Sequence, residues 1–442
     1  MSAPDSTAAI DTVYRMEFPR VVAALAAFVG DIGLAEDLAQ DALVDALRQW
    51  PRDGTPQNPG AWLTTVAKRK AVDLFRRNRT LEAKYAQLSR ELQSALPDHG
   101  DIAAASEAPS SEDIADDRLR LIFVACHPVL SLTARTALTL RLVGGLTVPE
   151  IARAYLVPES TVAQRIVRAK KTIAKEAVPF AVPTGADRAD RLGSVLEVIY
   201  LIYNEGYSAT SGDDWLRPEL CAEALRLGRV LAALAPGEAE VHGLVALMEF
   251  QSSRLRARSD PSGAPVLLLH QDRRTWDRLH INRGEAALAR AEGLDETRGP
   301  YTLQAAIAAC HARSFRAEDT DWDRLVSLYG ELAGTAPSRI VELNRAVAVS
   351  MASGPQTALA LVDQLMETGT LQRYHLLYSV RGDLLDRLGR DAEAASEFER
   401  AAALATNAQE RALSEARART CRARAAAAGA GASSPVTAPG PT

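Results

Sequence analysis

Apolar residues recur every three or four positions in long runs, and each run ends at a cluster of glycine and proline. Over residues 12–29, Val13, Phe18, Val21, Val22, Leu25 and Phe28 stand at helical spacing. After a turn at 30–33, a second helix is predicted over 34–50. It carries Leu38, Ala42, Leu43, Ala46 and Leu47 on one face and acids on the other. Pro51, Gly54, Pro56 and Pro59 interrupt the pattern, and a third helix follows over 59–78. Periodicity fades across 80–115, where alanine, serine and acids gather in PDHGDIAAASEAPSSED, so a flexible acidic linker is expected over 81–113. Periodicity returns at Ile114, runs to about Ala177 and stops at VPFAVPTGAD. From 188 to 411 helices are expected throughout, parted at 206–214, 236–237, 259–265, 293–300, Pro337 and 354–355. Residues 412–442 drift into alanine, glycine, serine and proline and read as a disordered tail.

The fold class is therefore all-α, in three modules: 1–80, 114–178 and 188–411. A repeat is visible late in the third. YSVRGDLLDRLGRDAEAASEFERAAALATN follows the tetratricopeptide (TPR) pattern through Tyr378, Gly382, Leu385, Leu388, Gly389, Ala394, Phe398 and Ala401. A weaker copy upstream uses Ala346, Val349, Gly354, Ala358, Val362 and Leu365. Small residues at Gly382, Ala394 and Ala401 let two antiparallel helices pack closely, so a helical solenoid is expected.

Composition narrows the function. Aromatics make up 5% of the 442 residues and the formal net charge is −5, so indiscriminate coating of nucleic acid is excluded and any such contact must be a local basic patch. Cys126, Cys221, Cys310 and Cys421 form no CxxC pair, which speaks against a zinc ribbon or a disulfide framework. The first residues lack the charged-then-apolar layout of a signal peptide, and no long apolar run is free of charge. A cytoplasmic protein without membrane, metal or cofactor is expected.

Three segments carry chemistry. In TVPEIARAYLVPESTVAQRIVRAKK (147–171), Thr147 and Glu150 form a capping box, with Pro149 in the first turn. Ile151, Ala152 and Tyr155 should face inward, a turn follows at 156–158, and Val162 and Ile166 point to the core of a second helix. Glu159, Ser160, Thr161, Gln164, Arg165, Arg168 and Lys171 are its candidate base-reading residues, while Lys170, Lys171 and Lys175 suit phosphates. The layout is a helix-turn-helix; an αα-hairpin with a solvated basic face fits the same pattern. The helix over 59–79 carries Lys68, Arg69, Lys70, Arg76, Arg77 and Arg79 against Asp73 alone. It suits a phosphate backbone, or is simply solvated. AEDLAQDALVDALRQW (35–50) shows an acidic face that suits a protein partner or water.

In this order the three segments resemble an extracytoplasmic-function (ECF) RNA polymerase sigma factor of the sigma-70 family. AEDLAQDALVDALRQW is similar to the region that docks on the polymerase clamp helices, NPGAWLTTVAKRKAVDLFRRNR to the helix that recognises and melts the −10 element, and LTARTALTLRLVGGLTVPEIARAYLVPESTVAQRIVRAKK to the region that binds the −35 element and the flap. LIFVACHPVLSLTARTALTLRL, VIYLIYNEGYSATSGDDWLRPELCAEALRLGR, GPYTLQAAIAACHA and DTDWDRLVSLY extend the resemblance to the group with a TPR-like C-terminal extension, often called YCII-associated. The resemblance implies that Asp37, Leu38, Gln40, Asp41 and Leu43 form or support the polymerase-binding surface. It places capture of a flipped −10 base in the loop ending at Asn58, the separated strand along Lys68 to Arg79, and −35 readout in the helix over 159–171. The partners are then core RNA polymerase and promoter DNA, with a possible protein or ligand at the TPR-like domain.

A one-component helix-turn-helix regulator with a ligand-binding solenoid is the main competing reading, and a TPR scaffold another. An enzyme finds little support. His242, His270, His280 and His311 lie in no HExxH, GxSxG, Walker or Rossmann arrangement, and the adjacent pairs Cys126-His127 and Cys310-His311 diverge by about 100° on a helix. NEGYSATSGDDW (204–215) reads as a binding loop or a capped helix connection.

Overall fold

Asp31 starts the first turn that matters: its carboxylate accepts hydrogen bonds from the amides of Gly33 and Leu34 at 2.6 and 2.9 Å, capping a helix from Ile32. Gly30, at φ 72°, ends the helix before it. The computed structural model describes residues 4–91, 111–155, 157–208, 216–261, 264–295 and 297–432. Among them are eighteen α-helices and no strand beyond one bridge between Ser259 and Pro265, the all-helical class that the apolar period predicts. The chain divides into two units, Met1–Leu201 and Ile202–Thr442.

In the first unit α1 (Pro4–Val29), α2 (Ile32–Asp53) and α3 (Pro59–Glu91) form a bundle around Phe18, Val22, Leu25, Leu38, Ala42, Leu63 and Ala67. Each large side chain so buried contributes about 1.5–3 kcal/mol. Four helices follow: α4 (Ser111–Ala125), α5 (Leu132–Leu142), α6 (Val148–Tyr155) and α7 (Glu159–Lys175). α5 and α6 pack on α7, while α4 packs on α1, so helices from either side of the expected linker share one unit. Helix α3 runs into the stretch expected as linker. α3 continues to Glu91 and α4 begins at Ser111, because residues 78–96 hold no glycine or proline and are rich in helix formers. Residues 92–110 lie outside the described set.

α8 (Gly185–Tyr207) runs on into the second unit, which contains α9 (Pro218–Leu234), α10 (Ala239–Ser253), α11 (Arg278–Leu294), α12 (Pro300–Arg313), α13 (Trp322–Thr335), α14 (Arg339–Ala352), α15 (Pro355–Glu367), α16 (His375–Arg387), α17 (Asp391–Leu404) and α18 (Ala408–Ala432). The breaks expected at 236–237, 293–300, Pro337 and 354–355 fall between helices. Residues 254–277 are longer and less regular than expected, with three short 3-10 turns. Most of the polar stretch 204–215 lies outside the described residues. In the repeat-like region a Cβ on Gly382 would stand 2.9 Å from the Phe398 ring, the close helix approach read from the sequence. Leu343, Ala346, Val362, Leu377, Leu385 and Phe398 share one core there.

The tail departs from expectation. Residues 412–432 continue α18, with Ala418 and Cys421 in that same core and Arg422 and Arg424 paired to Glu399 and Asp391 at 2.6 and 2.7 Å. Alanine and arginine favour a helix, and its buried side is too small to register as an apolar stripe. No helix among the described residues is long and apolar enough to cross a membrane.

Candidate nucleic-acid interface

The capping box forms. Thr147 donates from both its amide and its hydroxyl to Glu150 Oε2 at 2.8 Å, and the Glu150 amide donates back to Thr147 Oγ1 at 3.4 Å. It launches α6 with Ile151 and Ala152 buried; Tyr155 is half-buried. The Val157 amide donates to the Ala152 carbonyl at 3.1 Å across the turn, and α7 begins after Pro158. Val162, Ile166, Ala169 and Ile173 fix its inner face. Glu159, Ser160, Gln164, Arg168 and Lys171 are exposed, and Thr161 and Arg165 are half-buried. Gln164, Arg168 and Lys171, four and three residues apart, make one outward stripe.

Lys170 does not join it. Its ammonium pairs with Glu36 of α2, and Arg141 Nε of α5 reaches the same carboxylate at 2.5 Å. Gln40 also donates to Glu36, at 2.9 Å. Glu36 is 2% exposed, although its place in an acidic face suggests a solvated residue. Burial alone would raise its pKa; the charges of Arg141 and Lys170 outweigh burial and hold the carboxyl below its ordinary range. The α2 helix is thereby pinned to α5 and α7.

On α2, Asp37, Gln40 and Asp41 are exposed, whereas Leu38 and Leu43 are buried and act as supports from beneath. Val44 and Leu47 are exposed beside them, at 43% and 49%. Leu47 was expected in the core, yet 37, 40/41, 44 and 47/48 share a helical phase, the signal that would have placed it outside. On α3, Arg69, Arg76 and Arg77 are exposed. Lys68 lies 5.6 Å from the Phe28 ring, and Lys70 pairs with Asp45 at 2.8 Å. The side chain of Arg79 lies outside the described residues. Asn58 is exposed and caps α3, its Oδ1 accepting from the Ala61 amide at 3.1 Å. Trp62 packs edge-on against Trp50 at 5.5 Å.

The Cys126 thiol sits 3.2 Å from Thr139 Oγ1, and burial pushes it up to about 11. His280 meets buried Glu249 at 2.7 Å, beside Arg229. Asp386, Asp391 and Cys421 converge, but Arg424 pairs with both carboxylates.

The family model for Sigma-70 region 2 matches residues 13–80, and that for Sigma-70, region 4 matches 120–173. Residues 191–292 match a family of unknown function, DUF6596. An uncharacterized protein of Rhizobium meliloti is 45% identical over 394 residues, 89% of this chain and 91% of that one. The ECF RNA polymerase sigma factor SigK of Mycobacterium ulcerans is 30% identical over 148 residues, which span 33% of this chain and 74% of that protein. No solved structure matches. Both sigma-70 regions thus stand in the order the three segments implied, ahead of a helical extension that neither region accounts for, and the chain belongs to the ECF type of the sigma-70 family.

Proposed function

We propose how this sigma factor divides its work. The exposed stripe of Asp37, Gln40 and Asp41, with Val44 and Leu47, is the surface that the clamp helices of core polymerase grip; acids beside exposed apolar groups suit a protein rather than DNA. The exposed loop ahead of α3, ending at Asn58, takes a flipped −10 base, and Arg69, Arg76 and Arg77 hold the separated strand. The α7 stripe of Gln164, Arg168 and Lys171 reads the −35 element in the major groove, with Glu159, Ser160, Thr161 and Arg165 around it. The outward stripe on a capped helix-turn-helix, in the matched region 4, is the observation that carries this reading. A sigma factor breaks and makes no covalent bond: it favours the melted promoter by binding the open strand better than duplex, a population shift. The work is done in the cytoplasm, where core polymerase is found. The second unit acts on the first in cis, held near it by the shared chain.

Run-off transcription with purified core polymerase on genomic fragments tests this. Expected are promoter-specific transcripts that need the protein, and a loss of −35 selectivity with a shallower salt dependence in Arg168→Ala and Lys171→Ala. Footprinting of DNA without core enzyme would favour a one-component regulator. Failure to co-migrate with core polymerase would end the proposal.

A further inference from the structure

The irregular segment over 254–277 and helices α16, α17 and α18 line a cavity of about 220 Å³, larger than the ~150 Å³ that suffices for a benzene molecule in an apolar core. Val266, Leu268, Leu376 and Leu413 give it apolar walls. Its ionic groups are already engaged within the chain. Arg258 donates to the Tyr207 carbonyl and lies 3.5 Å from the Tyr207 ring. Arg417 pairs with Asp383 at 2.5 Å, and Glu410 lies 3.3 Å from His375 Nε2. Gln271 is different. It is 7% exposed and lines the same space. Its amide NH2 donates to the Val266 carbonyl at 3.0 Å, a bond that identifies the nitrogen end of the amide. The buried Oε1 accepts from no group among the described residues. A buried acceptor without a donor is costly. Two cations that line the cavity also lie on aromatic rings: Arg254 is 5.3 Å from Tyr207, and Arg417 is 4.3 Å from Phe398. A guanidinium is planar and has two faces, so each can take a second ring.

We propose that this cavity is a binding site for a small neutral aromatic molecule carrying one N–H or O–H donor. Its ring covers the leucines and Val266 and offers a face to Arg254 or Arg417, while its donor meets Gln271 Oε1. A charged ligand would give up its water for ions that are already engaged. A saturated ring would offer the guanidiniums no π face, and a ring without a donor would leave Oε1 unmet. None of these residues belongs to the segments assigned to polymerase or promoter, and the test needs neither DNA nor polymerase.

Calorimetric titration of the intact protein with indole, benzofuran and benzoate decides it. Indole and benzofuran share size and shape, and only indole carries a donor. Indole is expected to saturate one site in the millimolar range or tighter, with benzofuran about fivefold to tenfold weaker and benzoate at least about tenfold weaker. Gln271→Met should bring indole down to the level of benzofuran and leave benzofuran unchanged, with circular dichroism as the check on folding. The comparison of the two rings in the unaltered protein decides the matter even where that variant does not fold. No saturation by indole below about 5 mM would overturn the proposal. So would equal binding of indole and benzofuran by the unaltered protein, tighter binding of benzoate than of indole, or an undiminished preference for indole in folded Gln271→Met.

Discussion

Two charge clusters in this chain are held in different ways. At Glu36 one carboxylate is met by two cations and an amide drawn from three helices, and nothing is left over for a ligand. Around Tyr207 the guanidiniums of Arg254 and Arg258 stand 5.3 and 3.5 Å from one ring, and the buried Oε1 of Gln271 accepts from no group among the described residues. Buried charge that is matched within the chain acts as a fastener. Guanidiniums laid on an aromatic ring are held in part by the negative face of the ring. The two clusters lie in different parts of this sigma factor, the first in the unit matched by the sigma-70 regions and the second in the extension.

The comparison breaks most visibly at Glu36. Glu36→Ala leaves Arg141 and Lys170 without their shared acid and should cost about 3–5 kcal/mol. The loss should appear as faster hydrogen exchange in α2 and α7 with α10 to α12 unchanged. Equal protection in both proteins would show that the fastener holds nothing. Acid should then separate the two units. His311, its Nδ1 buried, is pushed down to about 3 by burial first and by Arg254 and Arg273 second, against about 6.5 for a free imidazole. The unfolded chain binds a proton that the folded one refuses, so this contribution is present above about pH 6.5 and fades as pH falls toward the folded value. Between pH 7.5 and 5 the second unit should lose at most about 2 kcal/mol. Glu36 has a lowered folded pKa, so its contribution persists above the ordinary carboxylate value and is lost only below it. Hydrogen exchange across a pH series should therefore show the second unit loosening before the α2–α7 contact; simultaneous loosening would contradict the assignment. Arg254→Gln removes the second cause of the His311 shift, after burial, and should flatten that pH slope by less than about 1 kcal/mol. The smallest effect belongs to Lys70→Gln. Its partly exposed pair with Asp45 is worth less than about 0.5 kcal/mol, so a strong loss of promoter opening with unchanged melting would mark Lys70 as a DNA contact.

Helix positions in this chain were legible because apolar spacing and Gly/Pro breaks agree along most of it. The Thr147–Glu150 cap and the Gly382–Phe398 contact were readable for the same reason: each rests on residues close in sequence or on one strong steric demand. Glu36 was not legible. Its partners stand at positions 141 and 170, and no local pattern distinguishes it from the solvated acids Asp37 and Asp41. Leu47 is outward by phase, together with Asp37, Asp41 and Val44, but its apolar side chain taken alone reads as core. The cavity lined by Val266, Gln271, Leu376 and Leu413 is illegible for a further reason: it joins residues 254–271 to residues 375–417, and an irregular segment gives no periodicity to follow.

The arginine-studded α18 covers one side of the core it shares with α14 to α17. Stacked helix pairs end in a bare oily shelf that welcomes another such shelf, and here Ala418 and Cys421 roof it while Arg422 and Arg424 turn a polar back to water. A chain shortened at Arg411 is expected to bare that core, which sedimentation would register as larger species.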